Sequence, residues 1–461
     1  MKQHGPSILV AALSSAFGVA LLQVVDVLSR IIAADDVTGA SRSVPVFLTI
    51  VATIFMTIAV YVGAIVTSNT FATIIAGRTR EIALYRLIGS SAAAQRRKVA
   101  GEGLAVGVVG ALVGAVGGTL VTIVGVSVAA SAGSIPDLDY QYVMPVLALP
   151  IVAVALTTWL ASWIGSRKVL VVSPMQATGA AVDLSREEAS GRRGRNAVAI
   201  TLFVLGTAGL VLGMVVGLVT PFGVFIGLIG GLFSFSGLVM GAHLVMPPAL
   251  RLVGKLFGRS APARLAAENA VRYPERSSRT TIGLVIGVTL VTMFAVATES
   301  YQQMLRAAQA ANPELYNGID TALVITVVVV SVLTGFSALI AAVGMVNNLS
   351  LSVLQRTREL GLLRALGFTA GQVRRMILAE SAQLTLAALS VGLILGVFYG
   401  WAGAQSLLGS INGSPGLIAP AVPLALVVVV VVAAVLLTAV ASVAPSRRAT
   451  RVAPVAALAV E

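Results

Sequence analysis

The stretch RTREIALYRLIGSSAAAQRRKVAGE, residues 78–102, returns without a gap as RTRELGLLRALGFTAGQVRRMILAE at residues 356–380, with eleven of 25 positions identical. Arg78 matches Arg356, Glu81 matches Glu359, Arg86 matches Arg364, Gly89 matches Gly367 and Glu102 matches Glu380. The likeness extends outward. Asn69 falls on Asn347, Gly114 and Gly118 fall on Gly392 and Gly396, and SRKVLVVSP ending at Pro174 echoes SRRATRVAP ending at Pro454. Two copies of one unit make up most of the chain.

Around these charged segments the sequence is apolar. Of 461 residues, 57% are hydrophobic and 11% charged, and the mean hydropathy is +0.97, so most of the length is not a water-facing globular surface. A spanning helix needs roughly 20 apolar residues. Ten such runs occur, near 8–32, 44–75, 103–130, 143–165, 197–218, 222–246, 281–299, 320–353, 378–404 and 421–444. They are long and lack period-two alternation, and only helices satisfy every backbone group locally in lipid, so a β-barrel is excluded. The first run is read as a span and not a cleaved leader, because no A-x-A site follows it.

The expected fold is an all-α polytopic membrane protein with about ten transmembrane helices in a 4+2+4 arrangement. Residues 1–180 form the first four-helix repeat, 181–259 a linker and a two-helix insert, and 260–461 the second repeat. Six spans separate equivalent points, so the repeats are parallel, unlike the inverted repeats of many secondary transporters.

The net charge of +13 is a statement about topology. With the N-terminus placed inside, 28 of the 31 Lys and Arg fall on inner segments, leaving Arg30, Arg42 and Arg306 outside. The positive-inside rule then predicts cytoplasmic termini, and the basic residues also attract anionic headgroups. Nucleic acid is not the expected partner. Cysteine is absent, which removes disulfides, thiolate chemistry and Cys-based metal sites.

Each repeated segment reads as a short helix, a break and a second helix entering the membrane. Leu360, Leu363 and Leu366 recur every third residue, as do Ile82, Tyr85 and Ile88. Gly89 and Gly367 suit helix C-termini, and Thr369 with Gln372 makes a capping box that Ser90 and Ser91 lack. A charged amphipathic helix at the inner membrane surface is expected in each copy. A solvated loop obeying the charge bias is the plainer reading, but it does not explain an ungapped order of Arg, Glu, Leu and Gly in two copies.

This pattern, R-T-R-E-[IL]-x-L-x-R-x-[IL]-G between a long second span and a third span rich in small residues, resembles the FtsX-like (MacB-like) permease family of ABC transporters. The ten-span duplicated plan is similar to BceB-type members. The resemblance implies that the two surface helices are coupling helices that dock on an ATPase, carried by Arg78, Arg80, Glu81, Leu84, Arg86 and Gly89 and by Arg356, Arg358, Glu359, Leu362, Arg364 and Gly367. It implies a bacterial cytoplasmic membrane location, an ABC ATPase partner in two copies per permease chain, contact with membrane lipids, and export or outer-leaflet extraction of an amphipathic peptide, drug or lipid. Members of the family carry a large external domain. The loops at 32–43 and 300–319 are too short for one, so docking to a periplasmic partner is not carried over.

No G-x-x-x-x-G-K-[ST] motif is present. The chain is therefore expected to be no enzyme and to hold no cofactor, with ATP and Mg bound by the ATPase. His4 and His243 have no spaced carboxylate companions, so neither is assigned to a metal. Glycines at spacing four, in 110–118, 209–217 and 392–400, predict close helix packing or faces that slide. Asp35, Asp36, Asp137, Asp139 and Glu299 form a candidate external acidic face, which either attracts a cationic substrate or merely mirrors the charge sorting. Asp26 and Glu299 lie at comparable depths in the first spans of the repeats, and Asp26 is expected to pair with Arg30 one turn on. Two rival functions stay open: a mechanotransmission subunit that moves no substrate and activates an external partner, and an ion-coupled transporter, which needs midplane ionisable residues that are nearly absent.

Overall fold

A computed structural model describes residues 5–33, 43–77, 79–133, 135–136, 138–167, 193–255, 274–314, 335, 366–411 and 416–451. Helices dominate, and no strand occurs among the described residues. Nine of the ten apolar runs fall in described helices, and the run at 320–353 lies, except for position 335, outside the described residues. The chain divides into two compact units, Met1–Ala181 and Val182–Glu461.

In the first unit, α1 (Gly5–Ala33), α2 (Ser43–Gly77), α4 (Ala92–Ser131) and α5 (Ala148–Gly165) pack side by side, and the short α3 (Thr79–Leu87) joins α2 to α4. Ala11, Ala111 and Val154 meet at the centre, with Val60 and Ile151 against them. Glycine sets how close α1 and α4 come. A Cβ at Gly114 or Gly118 falls on the backbone of Ala12 or Ala16, so any side chain there pushes the helices apart. The opposite flank of α4 is bare: Leu112, Val113, Val116, Leu120 and Val124 are exposed, as expected of a face solvated by lipid. With 40 residues α4 is about 60 Å long, twice a hydrocarbon core of about 30 Å, so its charged start stands clear of it.

At the end remote from α3, the chain after α4 folds back over the bundle. Gln23 Nε2 donates to Thr119 Oγ1 at 3.1 Å and to the Tyr142 carbonyl at 2.8 Å. Arg30 pairs with Asp26 at 2.7 Å, as expected, and also donates to the Asp139 carbonyl at 3.2 Å.

In the second unit, α9 (Pro274–Ala311) and α10 (Ala370–Leu408) repeat the α1 and α4 contact, with Gly392 on Val288 and Gly396 on Thr292. That register places Asp26 opposite Gln302 and Gln23 opposite Glu299, so Asp26 and Glu299 stand about one turn out of step and not at one depth. The pairing one turn apart is kept: Arg306 donates to Gln302 Oε1 at 3.3 Å. A second fold-back caps this unit, with Trp401 Nε1 donating to Ile418 O at 2.6 Å and Gln405 Nε2 to Gly416 O at 2.7 Å. Helix α11 (Leu424–Arg451) packs on α10, where Thr438 and Thr385 share a hydrogen bond of 2.7 Å.

The insert is a helical hairpin, α6 (Arg193–Gly217) and α7 (Gly223–Met240), zipped by glycine pairs such as Gly213 with Gly227 and Gly206 with Gly230. It seats on α10: Gly217 and Gly227 lie on Ser406, Ser234 Oγ is 2.9 Å from Tyr399 OH, and Phe235 meets Tyr399 edge-on. The run at 222–246 is not one helix. It breaks at Gly241, and α8 (Ala242–Gly254) follows as a separate amphipathic helix with Pro247 and Pro248 inside it. His243 is buried there, 2.8 Å from Asn196 Oδ1 and 3.2 Å from Arg195. It ties α8 to the start of α6, and the described residues hold no group of three or more metal-ligating side chains.

Candidate functional site

Helix α3 is held by a small part of its surface. Ile82 and Ala83 are buried in a cluster with Phe71 and Ile75 of α2 and Val99 and Val106 of α4. On the other side Glu81, Leu84, Tyr85 and Ile88 stand at i, i+3, i+4 and i+7, so they share one face, and that face is exposed. Leu84 is 52% and Ile88 81% accessible, with Leu87 at the edge at 55%. A three-residue step falls about 60° short of a full turn. The stripe from Ile82 to Ile88 therefore winds from the buried side to the open one and is not a single face.

The helix ends by design. Gly89 has φ of +99°, the left-handed value that a Cβ disfavours, and Ser90 N–H donates to Tyr85 O at 2.9 Å, closing a Schellman turn. Ser91 then caps α4, its hydroxyl accepting from Ala94 N–H at 3.1 Å. The missing capping-box partner is replaced by Gln95, which donates to Ser90 Oγ at 2.8 Å. Lys98 lies over the Tyr85 ring at 5.3 Å, and Arg96 stacks on Trp163 at 4.0 Å.

The second copy repeats this joint. Gly367 has φ of +98°, Leu366 before it is 70% exposed, and Thr369 caps α10 with a capping box through Gln372. Ser91 and Thr369 share φ and ψ within a few degrees, at −72° and 151° against −70° and 153°. The same backbone turn therefore stands at matched positions in both repeats.

Of the residues expected at these elements, Glu81, Leu84, Gly89 and Gly367 are described together with their surroundings. Arg80 and Arg86 lie on α3, and nothing is described of their side chains, while Arg78, Arg356, Arg358, Glu359, Leu362 and Arg364 lie outside the described residues. Of the acidic set, Asp139 is exposed and Glu299 half-buried; Asp35, Asp36 and Asp137 lie outside the described residues. Leu87, Ile88 and Leu366 were not singled out for docking by sequence, although the helical spacing of Leu84, Tyr85 and Ile88 carries the signal. On α3 the site offers an exposed surface that is both apolar, through Leu84, Tyr85 and Ile88, and charged, through Glu81.

The family described as FtsX-like permease C-terminal matches twice, over residues 53–174 and 331–454. The chain belongs to the FtsX-like permease family. The two matches cover just over half of the sequence, and each contains one turn of left-handed glycine and hydroxyl cap. Among curated relatives of this FtsX-like chain, an uncharacterized ABC transporter permease, YknZ of Bacillus subtilis, is 36% identical over 106 residues, which is 23% of this chain and 25% of the relative. The ABC transporter permease YtrF of Bacillus subtilis is 28% identical over 122 residues, 25% of this chain and 28% of the relative. The macrolide export ATP-binding/permease protein MacB of Rhodopirellula baltica is 32% identical over 129 residues, 28% of this chain and 17% of the relative. The matched stretches thus span between 17% and 28% of the length of these relatives. With seven helices long and apolar enough to cross a membrane among the described residues, this FtsX-like chain is a multi-pass membrane protein.

Proposed function

We propose that this chain is the membrane-embedded permease subunit of an ABC transporter and that it couples ATP hydrolysis on a separate polypeptide to export or outer-leaflet extraction of an amphipathic peptide, drug or lipid. One observation carries the reading: the outward face of α3, where Leu84, Tyr85 and Ile88 stand exposed beside Glu81 on a base locked by Ile82 and Ala83. Full burial of a Leu or Ile side chain contributes about 1.5–3 kcal/mol, so Leu84 and Ile88 are suited to be the anchors of a protein contact. A rigid base matters as much, because a push on α3 passes through the Phe71 and Val99 cluster into α2 and α4. The matched joint at Leu366 and Gly367 supports a second handle of the same kind, and two handles fit two ATPase copies, each bringing its own ATP and Mg. The lopsided basic residues support a bacterial cytoplasmic membrane placement with both termini inside.

The test is retention of the ATPase encoded beside this chain during purification. Leu84→Asp with Ile88→Asp, combined with Leu362→Asp and Leu366→Asp, abolishes retention while the chain keeps its helical content. Full retention by the fourfold variant overturns docking. Compounds that stimulate ATP hydrolysis by the reconstituted pair then identify the substrate class.

A further inference from the structure

The end of the first unit that carries α3 holds a second, different surface. Helices α4 and α5 are antiparallel neighbours packed through Gly103 on Ser162 and Gly107 on Ala155, which brings the start of α4 against the end of α5. There Arg96 stacks on Trp163 and donates from Nη2 to the Trp163 carbonyl at 3.3 Å. Arg97, the next residue of α4, and Arg167, four residues beyond Trp163, are exposed, and none of the three arginines makes an ion pair among the described residues. Below them, Leu156, Trp159 and Trp163 follow one another at i, i+3 and i+7, and Leu156 and Trp159 are 50% and 36% accessible. Guanidinium groups with donors to spare, an aromatic pair at 6.5 Å and an apolar stripe running away from the charges thus lie on one helix junction.

We propose that this junction binds an anionic phospholipid, its phosphate held by Arg96, Arg97 and Arg167 and one acyl chain lying along Trp159 and Leu156. The guanidinium fork matches phosphate oxygens, and tryptophan places the pair at the depth of the headgroups. Unpaired cations between membrane helices are suited to acidic headgroups. The matched position in the second repeat keeps Arg374 and Arg375 but has Ala439 and Val443 where the first has Trp159 and Trp163, so the site belongs to the first repeat alone. The inference needs the membrane placement of α4 and α5 and does not depend on ATPase docking.

The two tryptophans report on the site directly. The full chain is reconstituted in phosphatidylcholine vesicles containing phosphatidylglycerol, with the acyl chains of one lipid or the other brominated, in a Trp401→Phe background; the same comparison with Trp401 retained adds only a fixed offset. Brominated phosphatidylglycerol quenches several-fold more than its share of the bilayer predicts, and Arg96→Gln with Arg97→Gln lowers that preference about tenfold. Arg96→Lys with Arg97→Lys keeps most of it, and Arg374→Gln with Arg375→Gln leaves it unchanged. Equal quenching by both lipids overturns the site, as does an equal loss in the Arg374 and Arg375 variant. Loss of ATPase retention in the Arg96 and Arg97 variant with the lipid preference intact also overturns it, assigning these arginines to the protein partner.

Discussion

Gly89 and Gly367 show how much one residue decides. Both sit in the left-handed region, where a side chain costs of the order of 1–3 kcal/mol; Gly89 stops α3 at the point where the chain must turn into α4, and Gly367 stands at the matching turn before α10. Gly89→Val is expected to lower the thermal unfolding temperature and to reduce ATPase retention together, because α3 no longer ends where its outward face requires. The glycines of α4 separate packing from propensity. Gly114→Ala places a methyl on the Ala12 backbone and is expected to cost about 1–3 kcal/mol, whereas Gly117→Ala meets nothing within 4 Å and is expected to be neutral or slightly stabilising. A melting comparison of the two variants in one detergent checks this. If both behave alike, helix contact at Gly114 does not limit stability. The sequence marked both the left-handed glycines and the spacing-four stripes, since the first sit between a helical pattern and a cap and the second repeat at helical period. It did not say which glycines face a neighbour, because that depends on how α1 and α4 are rotated.

At the scale of elements, the instructive case is α3. Ile82, Tyr85 and Ile88 recur at every third residue, yet only Ile82 and its neighbour Ala83 are buried, while Leu84, Tyr85 and Ile88 stand exposed. Ile82→Asp is therefore expected to destabilise the first unit, whereas Ile88→Asp is expected to leave the unfolding temperature within a degree or so and to weaken ATPase retention alone. Thermal unfolding and retention measured on both variants separate the roles. The caps tell a similar story. The Thr369 and Gln372 box was legible because its spacing is fixed, but the Gln95 contact to Ser90 spans five residues and arises from the turn itself. Ser91→Ala and Thr369→Ala are each expected to cost about 1 kcal/mol, measured as a shift in the unfolding midpoint of the chain. The break at Gly241 escaped a reading by hydropathy, since α8 is apolar on one face and continues the run of the span before it.

For the whole molecule, duplication organises everything except the insert. The α6 and α7 hairpin seats on α10 through Gly217, Gly227, Ser234 and Tyr399, at positions whose counterparts on α4 stand exposed: Tyr399 corresponds to Val121, and Ser406 to Val128. Gly217→Leu is expected to unseat the hairpin, because a side chain there meets the Ser406 backbone. Tyr399→Phe is expected to cost only about 1 kcal/mol, because Ser234 keeps its 3.1 Å contact with Thr207. Protease accessibility of the Leu218 to Phe222 turn distinguishes the two outcomes. Hydropathy, charge sorting and a repeated stretch of 25 residues were enough to determine a duplicated, all-helical membrane chain, because lipid admits so few backbone structures that the pattern of apolar runs leaves little choice. Which face of each helix turns inward, where the insert rests and which side of α3 is left exposed were decided by tertiary packing. In helices apolar all round, the sequence pattern does not favour one rotation over another, and only the meeting of particular glycines with particular backbones selects it.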